Sequence, residues 1–165
     1  MSSSEMTIAK RNTIVVVMLI SAFVAMLNQT ILNTALPAII SGLGIPETTA
    51  QWLITGFMLV NGVMIPLTAF LMDRYSTRGL YIFSMAAFLI GSLVAALSPN
   101  FSILMVARVI QAIGAGILLP LMQFTVFTLF PVEKRGFAMG LTGIVAQSAP
   151  AIGPTLTGLL IDAFS

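Results

Sequence analysis

Long apolar runs, broken only at short charged or Pro/Gly-containing turns, govern what this chain can become. Charged residues are 7% of its 165 residues and hydrophobic ones 58%. A soluble domain carries roughly 25% charged residues. So little charge cannot coat a water-facing surface, and the chain reads as an all-α integral membrane protein. Disorder is excluded, because it requires low hydrophobicity and high charge. The net charge is +2, and the Lys and Arg residues fall mostly in separated pairs. That is not the footprint of a nucleic-acid binder. The chain has no Cys and no His, which removes disulfides, thiolate nucleophiles, zinc sites and His-based acid–base chemistry. The apolar runs offer no acid pair and no activated nucleophile, so neither enzymatic activity nor a bound cofactor is expected.

A spanning helix needs about 20 largely apolar residues. Five segments meet that need, over approximately 13–40, 49–72, 79–97, 101–130 and 137–164. Residues 1–12 read as a segment before the first span, and 13–165 as one transmembrane bundle. Loops are expected over 41–48, at Asp73–Arg78, at Ser98-Pro99-Asn100 and at Pro131–Gly136. No strand-like alternation persists, which argues against a β-barrel. Lys10 and Arg11 precede the first span, Arg74 and Arg78 follow the second, and Lys134 and Arg135 follow the fourth. The other two loops carry no Lys or Arg. The positive-inside rule therefore puts the N-terminus and the second and fourth loops in the cytoplasm. The first span is read as retained rather than cleaved. It is longer than a signal-peptide core, and Pro37 interrupts the Ala-rich stretch where cleavage would fall. Transporters built from repeats carry a multiple of the repeat unit. An odd number of spans thus suggests an N-terminal piece of a longer protein.

Polar side chains inside apolar runs are costly and mark candidate sites. Arg108 is the one charge deep in a span. An arginine at a helix centre costs about 2.5 to 3.5 kcal/mol to insert. Counting about 1.5 Å per residue places it roughly level with Asn28 of the first span. Gln111, three residues on, shares its helix face. Two readings are open for Arg108: a place in an interior cavity, with acceptors such as Asn28, Gln29 or backbone carbonyls, or snorkelling to the outer surface. Gln29, Thr30 and Asn33 cluster near Asn28 and favour a cavity there. Asn61 and Gln147 fall near the midplane. For them, helix–helix hydrogen bonding and substrate contact are both open. The cavity set is therefore Asn28, Gln29, Asn33, Asn61, Arg108, Gln111 and Gln147.

Gly114-Ala115-Gly116 and Gly136-x-x-x-Gly140 suggest close helix contacts. Pro150 and Pro154 each remove a backbone N–H and clash with the carbonyl four residues earlier, so a bend is expected in the fifth span. The 11 Met and 11 Phe residues suit lipid-facing or core filling, and also a pocket for varied apolar ligands.

Several of these segments resemble motifs of the major facilitator superfamily, and within it the fourteen-span drug:proton antiporters of the bacterial lincomycin-resistance type. Leu71–Arg78 resembles the family's loop motif between spans two and three, with Ala69 and Ser76 where Gly is usual and Thr77 where Arg is usual. Arg108-x-x-Gln111-Ala112-Ile113-Gly114 resembles the fourth-span motif. Gly143 to Gly158, with Ala149-Pro150 and Gly153-Pro154, resembles the fifth-span motif typical of exporters. Leu27 to Pro37 resembles the first-span motif, with Asn28 where many relatives have Asp. The resemblance implies most of an N-terminal six-helix bundle, truncated before span six. It implies proton-coupled multidrug efflux by alternating access, powered by the proton gradient. Gating and conformational roles would fall to Asp73, Arg74, Arg78, Gly143, Pro150, Gly153, Pro154 and Gly158. The implied partners are the lipid bilayer, small amphipathic drugs or metabolites, and a C-terminal half of the same chain. The implied location is a bacterial cytoplasmic membrane.

Other functions fit the same features: a carrier dedicated to one small metabolite, or a truncated piece that transports nothing. The orientation has a direct test. A single Cys at Ser76 or Glu133 should be shielded from an impermeant thiol reagent in intact cells, and one at Gly44 should be labelled. Labelling at Ser76 with none at Gly44 would invert the topology.

Overall fold

The computed structural model describes residues 8–164, with side chains described to Leu159. Residues 1–7, most of the expected N-terminal segment, lie outside the described residues. The described part is all helical: α1 (Ile8–Leu43), a single turn α2 (Glu47–Ala50) that leads into α3 (Trp52–Arg74), α4 (Thr77–Ala96), α5 (Phe101–Leu129) and α6 (Val132–Phe164).

Among the described residues, four helical segments are long and apolar enough to cross a membrane: Ile8–Leu43, Glu47–Arg74, Thr77–Ala96 and Phe101–Leu129. The segment expected as the fifth span is the helix α6, which is not among these four. At 33 residues it has the length, but Gln147, Ser148, Pro150 and Pro154 leave it less apolar than the others. It is assigned as one continuous helix through both prolines.

The helix ends explain where the expected loops shrink. Residues 41–43 and 47–48 are helical rather than loop. Gly44 stops α1, with φ of 62°, and the Ile45 amide donates to the Ile40 carbonyl at 3.3 Å. This is the Schellman arrangement, which needs a left-handed residue just past the helix. Ser76 caps α4 by accepting from the Gly79 amide at 3.1 Å. Asn100 caps α5 by accepting from the Ile103 amide at 3.0 Å. Each satisfies an amide that the helix itself leaves free. The last expected loop, Pro131–Gly136, is mostly the first turns of α6. There Arg135 Nε donates to the Phe130 carbonyl at 3.1 Å, at the end of α5.

α5 is the central helix. It packs on α3 and α4 along its length and touches α1 and α6 as well, while α6 packs chiefly on α1. Small residues make this possible. A Cβ at Gly114 would stand 2.5 Å from the Ser84 carbonyl oxygen and 2.9 Å from the Phe88 nitrogen, both backbone atoms of α4. A Cβ at Gly116 would stand 2.5 Å from Met64 Cβ of α3. Gly136 and Gly140, expected to serve the same purpose, have no atom of the described residues within 4 Å of a Cβ built on them. Their spacing fits a close contact, but no helix of the described residues comes to meet it.

Three arginines near helix ends sit over phenyl rings: Arg11 over Phe130 at 4.6 Å, Arg74 over Phe70 at 4.6 Å and Arg135 over Phe127 at 5.8 Å. These contacts let a cation stay beside an apolar surface. At the same end of the bundle, the hydroxyls of Ser21 and Tyr81 share a hydrogen bond of 2.6 Å, joining α1 to α4.

The close approach at Gly114 yields a stability prediction. Gly114→Ala should destabilise the helix bundle by about 1–3 kcal/mol, the usual cost of overpacking. Reversible detergent-driven unfolding would measure it. No loss at Gly114 together with a loss at Gly136→Ala would contradict this packing.

Candidate functional site: a buried arginine where four helices meet

Arg108 sits on α5 and is 0% exposed. That settles its placement: it does not snorkel, and its guanidinium lies inside the bundle. Its contacts come from three helices, and a fourth, α4, reaches it through Gln111. Nη1 donates to Gln111 Oε1 at 2.9 Å, on its own helix face. Nη1 also lies 3.4 Å from Asn28 Oδ1 of α1. Nε lies 3.4 Å from the Leu53 carbonyl oxygen of α3. The ring of Phe57, also on α3, stands 4.3 Å from the guanidinium carbon. Nη2 is buried with no hydrogen-bond partner among the described residues. Gln111, itself buried, donates from Nε2 to Ser92 Oγ of α4 at 3.0 Å.

Each link has a physical reason. A buried guanidinium needs acceptors, because a charge without them is expensive in apolar surroundings. Neutral amide and carbonyl oxygens supply acceptors but no counter-charge. The face of Phe57 adds a favourable quadrupole. The result is a fixed positive charge, partly satisfied, at the junction of α1, α3, α4 and α5.

Asn28, Ser92 and Gln111 also line an open recess of about 560 Å³ that reaches Leu43 and Ser98 at the bundle end away from the Arg–Phe pairs. The polar chain is thus adjacent to space that opens at that end.

The structure brings together Asn28, Arg108 and Gln111 from the expected cavity set. Gln29 is half-buried beside Asn28 but makes no hydrogen bond to Arg108 among the described contacts. Asn33 is exposed on α1. Asn61 is half-buried on α3, where its carbonyl faces Gly116. Gln147 is exposed on α6 and far along the chain from the arginine's partners. Sequence reasoning missed Leu53, Phe57 and Ser92. Phe57 and Ser92 are residue types common in any span, and a backbone carbonyl leaves no mark in a sequence. Only the helix contacts single them out.

The residues expected to serve gating are placed differently. Asp73, Arg74 and Arg78 are exposed around the α3–α4 turn. On α6, Gly143, Gln147, Pro150, Pro154 and Gly158 are all exposed. Their spacing of three or four residues puts them on one helix face. Gly153 is buried instead, and a Cβ there would collide with the side chain of Thr30 on α1.

This layout can be set beside known proteins. A family model described as Major Facilitator Superfamily matches residues 18–165. The chain belongs to the Major Facilitator Superfamily. It is 52% identical over 99% of its length to an uncharacterized MFS-type transporter, YcnB, of Bacillus subtilis. It is 44% identical over 90% of its length to the lincomycin resistance protein LmrB of Bacillus subtilis. It is 38% identical over 88% of its length to the probable multidrug resistance protein EmrY of Escherichia coli. Those matches cover 35%, 31% and 28% of the relatives' own lengths. The chain therefore spans about a third of the curated relatives it matches. Superfamily membership and the apolar helices together make it a membrane-embedded chain of a transporter family.

The lack of a counter-charge beside Arg108 makes a prediction. Asn28→Asp would place a carboxylate where the neutral Oδ1 now lies 3.4 Å from Nη1. It should stabilise the bundle, by about 1.5–3 kcal/mol on the scale of hydrogen bonds to charged groups. Unfolding of the chain in mixed micelles at neutral pH reads this out. A stability drop would show that the two side chains are not aimed at each other.

Proposed function

We propose that this chain forms most of the N-terminal bundle of a proton-coupled multidrug exporter that works by alternating access. The observation that carries the reading is Arg108. It is a fully buried cation held by neutral groups of α1, α3 and α5, beside a recess lined by Asn28, Ser92 and Gln111. A charge kept there at a cost to insertion points to a task other than stability. Relatives named for lincomycin and multidrug resistance support drugs as the cargo. The proton gradient would supply the energy. In this reading the chain lies in the bacterial cytoplasmic membrane with its N-terminus inside.

The remaining residues take roles within that scheme. Asn28, Gln111 and Arg108 form a polar wall of the coupling region, and Gln29, Asn33, Asn61 and Gln147 contribute substrate contacts once the second bundle encloses the cavity. The stripe of Gly143, Gln147, Pro150, Pro154 and Gly158 is the surface on which a C-terminal bundle of the same protein packs and slides. Glycine and proline keep that face low, so two helices can approach closely. Asp73, Arg74 and Arg78 lie at the cytoplasmic turn, where they meet the other bundle in one state of the cycle.

The test uses the full-length transporter. Arg108→Ala should abolish efflux of several chemically unrelated dyes while expression and insertion stay near normal. Removing a buried cation also removes its desolvation cost, so stability need not fall. Arg108→Lys should rescue poorly, because a compact ammonium cannot reproduce the planar fork that reaches Asn28, Gln111 and Leu53 together. Near-normal efflux with either substitution would refute the role given to Arg108. Transport of a single metabolite and none of the dyes would favour a dedicated carrier.

A further inference from the structure

The side chain of Gln111 joins two groups that place opposite demands on it. Arg108 Nη1, at 2.9 Å, is a donor and needs the amide oxygen. Ser92 Oγ, at 3.0 Å, meets the amide nitrogen. The hydroxyl of Ser92 has one proton, and it is committed: Oγ donates to the Phe88 carbonyl at 2.8 Å, one turn back on α4. With its proton spent there, Ser92 can only accept from Gln111. It therefore requires the NH2 end of the amide, which leaves the oxygen end for Arg108. A reversed amide would set donor against donor at Arg108 and lone pair against lone pair at Ser92.

We infer that Ser92 is a positioning residue for Arg108. It acts through Gln111, which it anchors in the rotamer and amide sense that present Oε1 to the guanidinium. Ser92 makes no hydrogen bond to Arg108. Its neighbour Gly91 sets the distance. A Cβ at Gly91 would lie 2.7 Å from Gln111 Cγ and 2.9 Å from the Ala107 carbonyl oxygen, so only glycine lets α4 come this near α5. Gly91 thus sets the reach and Ser92 the sense. Without the hydroxyl, the buried NH2 of Gln111 has no acceptor, and a buried unpaired donor is costly. The side chain then turns toward the recess that it already lines, drawing Oε1 away from Arg108. The inference rests on the efflux reading only for its consequence in transport. The positioning itself is a property of this chain.

The experiment reads the guanidinium directly. The chain is labelled with nitrogen-15 arginine and placed in lipid nanodiscs, and Arg108 is assigned by its loss in Arg108→Lys. In the native chain the Nη1 and Nη2 resonances should be separate, because the held guanidinium rotates slowly about its Cζ–Nε bond. Ser92→Ala should merge them. Ser92→Thr keeps the hydroxyl and its bond one turn back, and should keep them separate. Gln111→Glu supplies an acceptor that needs no partner at position 92, so Ser92→Ala added to Gln111→Glu should leave the resonances separate. If Ser92→Ala alone fails to insert, that double variant should still insert and give two resonances. Separate resonances in Ser92→Ala would overturn the inference. So would merged resonances in the native chain, in Ser92→Thr, or in the double variant. None of these readouts depends on transport, so a failure of the efflux reading would not be mistaken for a failure here.

Discussion

A positive charge cannot leave the interior of this bundle, and the rest of the architecture is arranged around it. Arg108 is fully buried on the central helix, and its insertion opposes membrane folding by about 2.5 to 3.5 kcal/mol at a helix centre. The offset comes in small parts: an amide oxygen on the same helix, another from α1, a carbonyl from α3, and the face of a phenyl ring. No single part suffices, because hydrogen bonds within membranes average only about 0.6 kcal/mol. The guanidinium therefore ties α1, α3 and α5 together, and Gln111 extends the tie to α4 through Ser92.

Close packing makes that convergence possible. α4 and α3 can approach α5 because Gly91, Gly114 and Gly116 carry no side chain where backbones or side chains of neighbouring helices pass. The opposite pattern holds on α6. There Gly143, Pro150, Pro154 and Gly158 are exposed, and among the described residues nothing stands within 4 Å of a Cβ built at Gly143 or Gly158. The same residue types thus do two jobs: inside, they bring helices of one bundle together, and on α6 they leave a low, open face. A second bundle would cover it in the proposed transporter.

Much of this was legible in the sequence. Apolar run length and the placement of Lys and Arg marked the helices and the turns, because hydrocarbon thickness and backbone hydrogen bonding permit few alternatives. Arg108, Asn28 and Gln111 stood out for the same reason: a polar group in an apolar run has to be accounted for. Helix ends were less legible. Residues 41–43 extend α1 because Gly44 supplies the left-handed cap, and an apolar pattern cannot say which of two nearby glycines will do so. Contacts across helices were not legible at all. Ser92, Phe57 and the Leu53 carbonyl belong to the site through helix packing alone. Asn33 and Gln147 share the polarity of the site residues, yet both lie exposed. Helical phase relative to neighbours decides this, and one sequence does not fix it.

The central claim is that Arg108 is held by the acceptors converging on it, with Gln111 the nearest. A double-mutant cycle between Arg108→Met and Gln111→Leu, followed by reversible unfolding of the chain in mixed micelles, tests that most directly. Gln111→Leu alone strips the buried cation of its nearest acceptor and should destabilise the bundle. With Met at position 108 no cation remains to be stranded, so the same Gln111→Leu change should cost little or nothing. The account predicts a coupling energy at the upper part of the usual range of about 0.5–3 kcal/mol for contacting residues. Equal costs of Gln111→Leu in the two backgrounds would contradict it.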